Sequence, residues 1–271
     1  MSFEYDSSNP KLLHSVVCFI DVLGFKSLGL EAIKNGTGDE FLENIHSSLG
    51  KARASITPYP FLPAKIKVFT DNVVIGWPIR GDGEGELGNT FLNLSEYQLA
   101  LALDGFFIRG GISIGPHFMD EETVFGPELI KAYELESQVA VYPRIILSEE
   151  SKQDVKRFTR YYMDVKGSPF YTELLEDMDG EWFLNYLDIL FDIFEDEVAQ
   201  KDFTSVYRSL EVHKTNIESA LEKYSSNYKL LKKYAWLANY HNYFCDEFMP
   251  VSENNLKIST PIKMSNPRRI F

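Results

Sequence analysis

Seven residues near the start of the chain, Ser15-Val-Val-Cys-Phe-Ile-Asp, narrow the choice of architecture more than any other stretch. They are few, apolar and partly β-branched, which predicts a buried strand ending at Asp21. A helix follows over Phe41 to Ala54, where Phe41, Ile45 and Leu49 recur at helical spacing, and prolines 58, 60 and 63 then break the chain. Lys65 to Trp77 alternates around a central Asp-Asn pair and reads as two strands with a tight turn at Asp71-Asn72. The acidic, glycine-rich Gly81 to Gly88 reads as a loop, and Thr90 to Ala102 as a helix. Phe106 to Ile114 is a strand interrupted by Gly110-Gly111, and Thr123 to Phe125 closes another. Gly126-Pro127 opens a helix running to about Gln138. Arg144 to Leu147 and Arg160 to Val165 read as the last strands.

This order predicts an α+β fold with a ferredoxin-like βαββαβ heart. After Glu181 the patterns are helical to about Met249, with no strand signal, and the tail is expected to be loosely ordered. The expected division is therefore a domain over 1–180 and a helical extension over 181–271, packed on the core.

With 271 residues, 44% hydrophobic, the chain can fill a full core. The apolar runs Val16 to Ile20 and Ile145 to Leu147 are far too short to cross a bilayer, and no signal peptide is visible. Two cysteines, Cys18 and Cys245, read as reduced core residues, so a cytoplasmic location without membrane insertion is expected. A net charge of −13 disfavours nucleic acid as a partner but leaves room for a metal-chelated nucleotide, because a divalent cation inverts the local electrostatics. The five histidines show no metal-binding spacing, and no phosphate-binding Gly-x-x-x-x-Gly-Lys-Ser/Thr loop or nucleophilic serine elbow is present.

Asp21 at a strand end and Asp71 at a hairpin tip would meet at one sheet edge in a ferredoxin-like order. Two convergent carboxylates repel unless a cation lies between them, and hard oxygen donors suit Mg²⁺ or Mn²⁺. Read singly, each Asp has a plainer account, a turn residue bonding its own backbone.

Four motifs in order resemble the catalytic domain of class III nucleotidyl cyclases over roughly residues 14 to 170. They are Cys18-Phe-Ile-Asp-Val-Leu-Gly-Phe-Lys, Ile66-Lys-Val-Phe-Thr-Asp-Asn, Arg109-Gly-Gly-Ile-Ser-Ile-Gly-Pro, and Phe125-Gly126 opening a helix with Ala132 and Leu135-Glu136 before Pro143-Arg-Ile-Ile-Leu-Ser. The resemblance implies a class III cyclase core, two divalent metal ions (Mn²⁺ or Mg²⁺) on Asp21, Asp71 and the Val22 carbonyl, and a nucleoside triphosphate substrate. It implies a homodimer with active sites at the subunit interface. Amides around Gly24, Phe25 and Lys26 would hold phosphate oxygens at a helix start. The family's helix supplies an Asn and an Arg, yet the corresponding positions are Ile130 and Glu134, so Arg109 is the candidate substitute cation; a strand-end Arg paired with a carboxylate is the other reading. Lys67 aligns with a purine-edge Lys, though it also reads as an exposed strand Lys. Thr123 stands where adenylate enzymes carry Asp and guanylate enzymes Cys. Lys166-Gly167 resembles a phosphate-gripping pair and is equally a turn.

Within the family the chain looks closest to the pyrimidine nucleotide cyclases of Pycsar anti-phage systems, a similarity that extends through Asp177-Met-Asp-Gly-Glu-Trp-Phe-Leu-Asn-Tyr-Leu. That implies a phosphorus–oxygen lyase making cyclic UMP or cyclic CMP, read by a separate cyclic-nucleotide-responsive effector. Two alternatives stay open: a purine cyclase, and an inactive cyclase-like module that binds nucleotides or forms a dimer.

Overall fold

The computed structural model describes residues 4–56, 64–249 and 254–271; the prolines at 58, 60 and 63 fall outside them. Strand β1 (Leu13–Val22) is an inner strand of the sheet. Helices α1 (Phe25–Lys34) and α2 (Gly38–Ile56) lead to the hairpin β2 (Lys65–Phe69) and β3 (Asn72–Pro78). Helix α3 (Glu84–Leu103) leads to β4 (Ile108–Met119). These four strands run β2-β3-β1-β4, antiparallel at every junction, which is the βαββαβ arrangement expected. The fold is α+β.

Side chains alternate across β1, and each face has its own cover. Val16, Cys18, Ile20 and Val22 point to α2 and α3, packing with Ala52, Ile56, Phe91 and Leu94. Phe19 and Asp21 point to the other face, where α4 (Pro127–Glu134) lies after the short strand β5 (Val124–Phe125). The α4 chain continues as a π-helical turn over Leu135–Val139. Gly110-Gly111 does not break β4. A Cβ on Gly111 would stand 2.5 Å from the Ala132 carbonyl oxygen, so the glycine lets α4 lie close on an unbroken strand.

Beyond β4 the sheet goes on, and here the structure departs from the sequence reading. Strand β6 (Ile145–Leu147) runs parallel to β4, and α5 (Glu149–Thr159) follows, capped by Ser148, whose hydroxyl accepts from Ser151 N. Residues 160–165 form turns, not a strand: Tyr161 and Tyr162 donate to Asp82 and Glu84 at the start of α3, which ties the segment across the fold. The first turns of α3 occupy 84–88, where a loop was expected, because Leu87 joins Phe91 and Leu94 on its buried face. The hairpin turn lies at Thr70-Asp71, one residue early, with Phe69 paired to Asn72 and Thr70 in the left-handed region.

After the short α6 (Phe170–Glu173), strands β7 (Leu174–Glu176) and β8 (Trp182–Leu184) extend the sheet in the order β4-β6-β8-β7. The expected boundary at 180/181 falls in the turn between them. Their three-residue, almost fully buried runs carry no alternation, so they cannot be told from helix by period. Helices α7 (Ile189–Ile193), α8 (Glu195–Ala199), α9 (Thr204–Lys223) and α10 (Tyr228–Glu247) follow. The described residues of the tail, 254–271, pack on the fold rather than lying loose: Leu256 and Ile258 are buried, and β9 (Arg268–Arg269) pairs with β7. Both cysteines are buried and free.

Candidate active site

Register builds the site. Phe69, Asn72, Asp21 and Arg109 stand side by side across β2, β3, β1 and β4, and the row Lys67, Val74, Phe19 and Gly111 runs beside it. Residues two apart on a strand share a face, so both rows lie on the α4 side. Asp71 is the second turn residue, immediately before Asn72, and its charge acts on Asp21 across the strand junction. Its Oδ1 accepts from Thr70 Oγ1 at 2.7 Å.

Asp21 is largely buried, and burial raises its pKa; Arg109 pulls it back down and Asp71 pushes it up further. Arg109 donates through Nε and Nη2 to Asp21 Oδ2 at 3.2 and 3.1 Å. Its Nη2 also lies 2.8 Å from Glu136 Oε1, an ion pair out of hydrogen-bond alignment, since that oxygen has no hydrogen-bond partner. Burial, with Asp21 and Asp71 nearby, raises Glu136 to about 7 despite Arg109. Two carboxyl groups, Asp21 and Glu136, therefore hold one guanidinium, with the charge of Asp71 acting on both. In the sequence Glu136 stands only as part of the Leu135-Glu136 motif, with no local signal of this contact.

Among the described residues, no three His, Cys, Asp or Glu side chains group as metal ligands. Asp21 and Asp71 alone still fit a small hard cation, because Mg²⁺ keeps several waters and takes one or two carboxylates plus substrate phosphates. Burial raises the Asp21 pKa most, and the smaller upward push from Asp71 is a repulsion such a cation relieves. Val22 ends β1, with its side chain in the α3-side core. Gly24 has φ +76°, turning the chain from β1 into α1, and the helix starts at Phe25 with Lys26 exposed. Phe25 is held by a ring contact with Phe41 at 5.8 Å. The first α1 amides thus open three to six residues beyond Asp21.

An open groove of about 530 Å³ lies along the second row, lined by Phe19, Lys67, Phe69, Val74, Ile130 and Tyr133 among others. Glu121 and Glu122 stand at its rim, and Lys67 Nζ donates to the Asp120 carbonyl oxygen at 3.4 Å. Thr123 is exposed and outside the lining; its N–H donates to Asp120 Oδ1. Ile130 is 59% exposed in the groove, and Glu134 is exposed as well. Lys166 is not brought to this site. It lies between Tyr162, bonded to Glu84, and Phe170, packed on Phe91, which is the α3 face of the sheet.

The sequence matches no protein-family model, and no curated protein matches it. Solved structures do align. The adenylyl cyclase CyaB from P. aeruginosa aligns at 16% identity and TM-score 0.44, over 64% of this chain and 94% of that one. A class III adenylyl cyclase-like ATP-binding protein from Pseudomonas aeruginosa gives 13% and 0.45, over 56% and 37%. The guanylyl cyclase Cya2 gives 16% and 0.39, over 53% and 78%. At that degree of overlap, any functional argument rests on the residues of the site.

Proposed function

We propose that the chain is a nucleotide cyclase that converts a pyrimidine nucleoside triphosphate, UTP or CTP, to its 3′,5′-cyclic monophosphate and pyrophosphate. The observation that carries the reading is the juxtaposition of Asp21 and Asp71 at one end of an open apolar groove. Asp21 and Asp71, with the Val22 carbonyl, would hold the two divalent ions, Mn²⁺ or Mg²⁺. When bound, such an ion acidifies a hydroxyl and offsets phosphate charge. The groove takes the base between Phe19, Ile130 and Tyr133, and Lys67 meets its polar edge. The α1 amides after Gly24 receive phosphate oxygens. The 3′-oxygen bonds to the α-phosphorus, the bond from that phosphorus to the bridging oxygen breaks, and the hydroxyl proton leaves to solvent. Exposed Phe69, Phe125, Ile130 and Tyr133 leave this face open to a second copy, in keeping with a dimeric enzyme. The choice of a pyrimidine, and a role in anti-phage signalling through a separate effector, rest on the sequence resemblance.

A purine cyclase is the second reading, favoured by Lys67 in the groove. Incubation with each of the four triphosphates and Mn²⁺, followed by mass spectrometry, separates the two. We expect cyclic UMP or cyclic CMP, and loss of product by at least a hundredfold in Asp71→Ala with the thermal unfolding midpoint retained. Cyclic AMP or cyclic GMP as main product selects the second reading. Four intact triphosphates would mean a cyclase-like module without this activity.

A further inference from the structure

A further charged group reaches the Asp21–Arg109–Glu136 cluster from the far end of the chain. Lys233 is on the second turn of α10. Ring contacts fix that helix over this end of the sheet. Tyr234 meets Phe107 edge-on at 5.8 Å, two residues before Arg109, and Trp236 stacks on Tyr142 at 5.8 Å. Lys233 is half-buried between them, within electrostatic reach of Asp21, Glu136 and Arg109. Burial, then repulsion from Arg109 and Lys229, holds its pKa below the ordinary lysine range. Arg109 already engages both nearer carboxylates, and among the described residues Lys233 makes no ion pair of its own.

A half-buried ammonium that makes no close ion pair, drawn only at longer range by Asp21 and Glu136 and standing beside a second cation, is a place for a further anion. The α4 position at which the class III cyclase resemblance implies a cation is Glu134, exposed and of the wrong sign. We propose that Lys233 is a phosphate-binding residue, supplying from α10 the cation that α4 lacks and gripping the triphosphate of the nucleotide held at Asp21 and Asp71. The inference rests on the nucleotide-handling reading above. It makes the helical extension a part of the substrate site.

The test is calorimetric titration of the full chain, in Mn²⁺, with the 3′-deoxy forms of UTP, CTP, ATP and GTP, which lack the attacking hydroxyl. For whichever triphosphate the wild type takes, Lys233→Ala is expected to weaken binding about tenfold or more, the scale of one charge-assisted hydrogen bond. The matching monophosphate should change less than about twofold, Lys233→Arg should recover most of the loss, and Lys232→Ala should bind as wild type. Lys233→Met keeps most of the apolar stem without the charge and decides the matter if the alanine variant does not fold. Unchanged triphosphate binding in the Lys233 variants, or equal loss of mono- and triphosphate, overturns the inference alone. A wild type that binds no triphosphate overturns the proposed function and this inference with it.

Discussion

Arg144 is fully buried, and its charge is answered from three sides. Asp177 and Asp179 pair with it, and the rings of Tyr142, Phe183 and Trp236 surround the guanidinium at 5.4 to 5.9 Å. Asp177 also accepts from Trp236 Nε1 at 2.7 Å, joining β6, the β7–β8 turn and α10 at one point. Removing one partner of a buried pair leaves the other uncompensated. Asp177→Ala should therefore lower stability by about 3–5 kcal/mol, seen as a lower urea midpoint at unchanged slope; a loss under about 1 kcal/mol would mean that Asp179 suffices alone. His213 and His241 show the neutral counterpart. His241 Nε2 lies 3.0 Å from the Leu256 carbonyl oxygen and so donates, which leaves its Nδ1 to accept from His213 Nδ1 at 2.9 Å. Tyr186 then donates to His213 Nε2 at 2.6 Å. Burial depresses both histidines, His241 to about 4, so each stays uncharged and the chain of bonds is complete.

At the scale of elements, the small residues of β4 decide how α4 sits. Gly111, Ser113 and Gly115 share one face; Gly111 abuts Ala132 and Leu135, while Ser113 donates to the buried Glu128, which also crowds Gly115. The motif that carries the resemblance is thus a docking surface for a helix. That helix presents Ile130 and Tyr133 to the groove and leads into Glu136. Gly111→Ala should lift α4 and cost about 1–3 kcal/mol, measurable by urea denaturation. An unchanged stability would show that α4 can shift without loss. Several elements were legible locally: β1 from its apolar run, α4 from Gly126-Pro127, and α5, though unread, from its Ser148-Glu-Glu-Ser start. β7 and β8 were not, because a three-residue strand has too few positions to show a period.

Over the whole molecule, one continuous sheet ties both parts of the chain together. β8 sits between β6 and β7, and α9 and α10 bury Leu23, Phe107, Ile146 and Leu175 in a shared core. A chain ended at residue 180 loses that strand and that cover. It is expected to show no cooperative thermal transition and to bind a hydrophobic dye; a sharp transition would establish 1–180 as a unit that folds alone. The sequence by itself determined what neighbours along the chain decide: a buried strand ending in Asp21, a hairpin carrying Asp71 at its tip, and the element order that makes β3 and β4 flank β1. Those outcomes follow from local period, turn chemistry and short connections. Only the tertiary structure decided that Arg109 is held by Asp21 and Glu136, that Lys166 lies on the other face, and that Lys233 arrives from more than two hundred residues beyond Asp21. Such encounters depend on which surfaces bury one another, and no local pattern of residues records that.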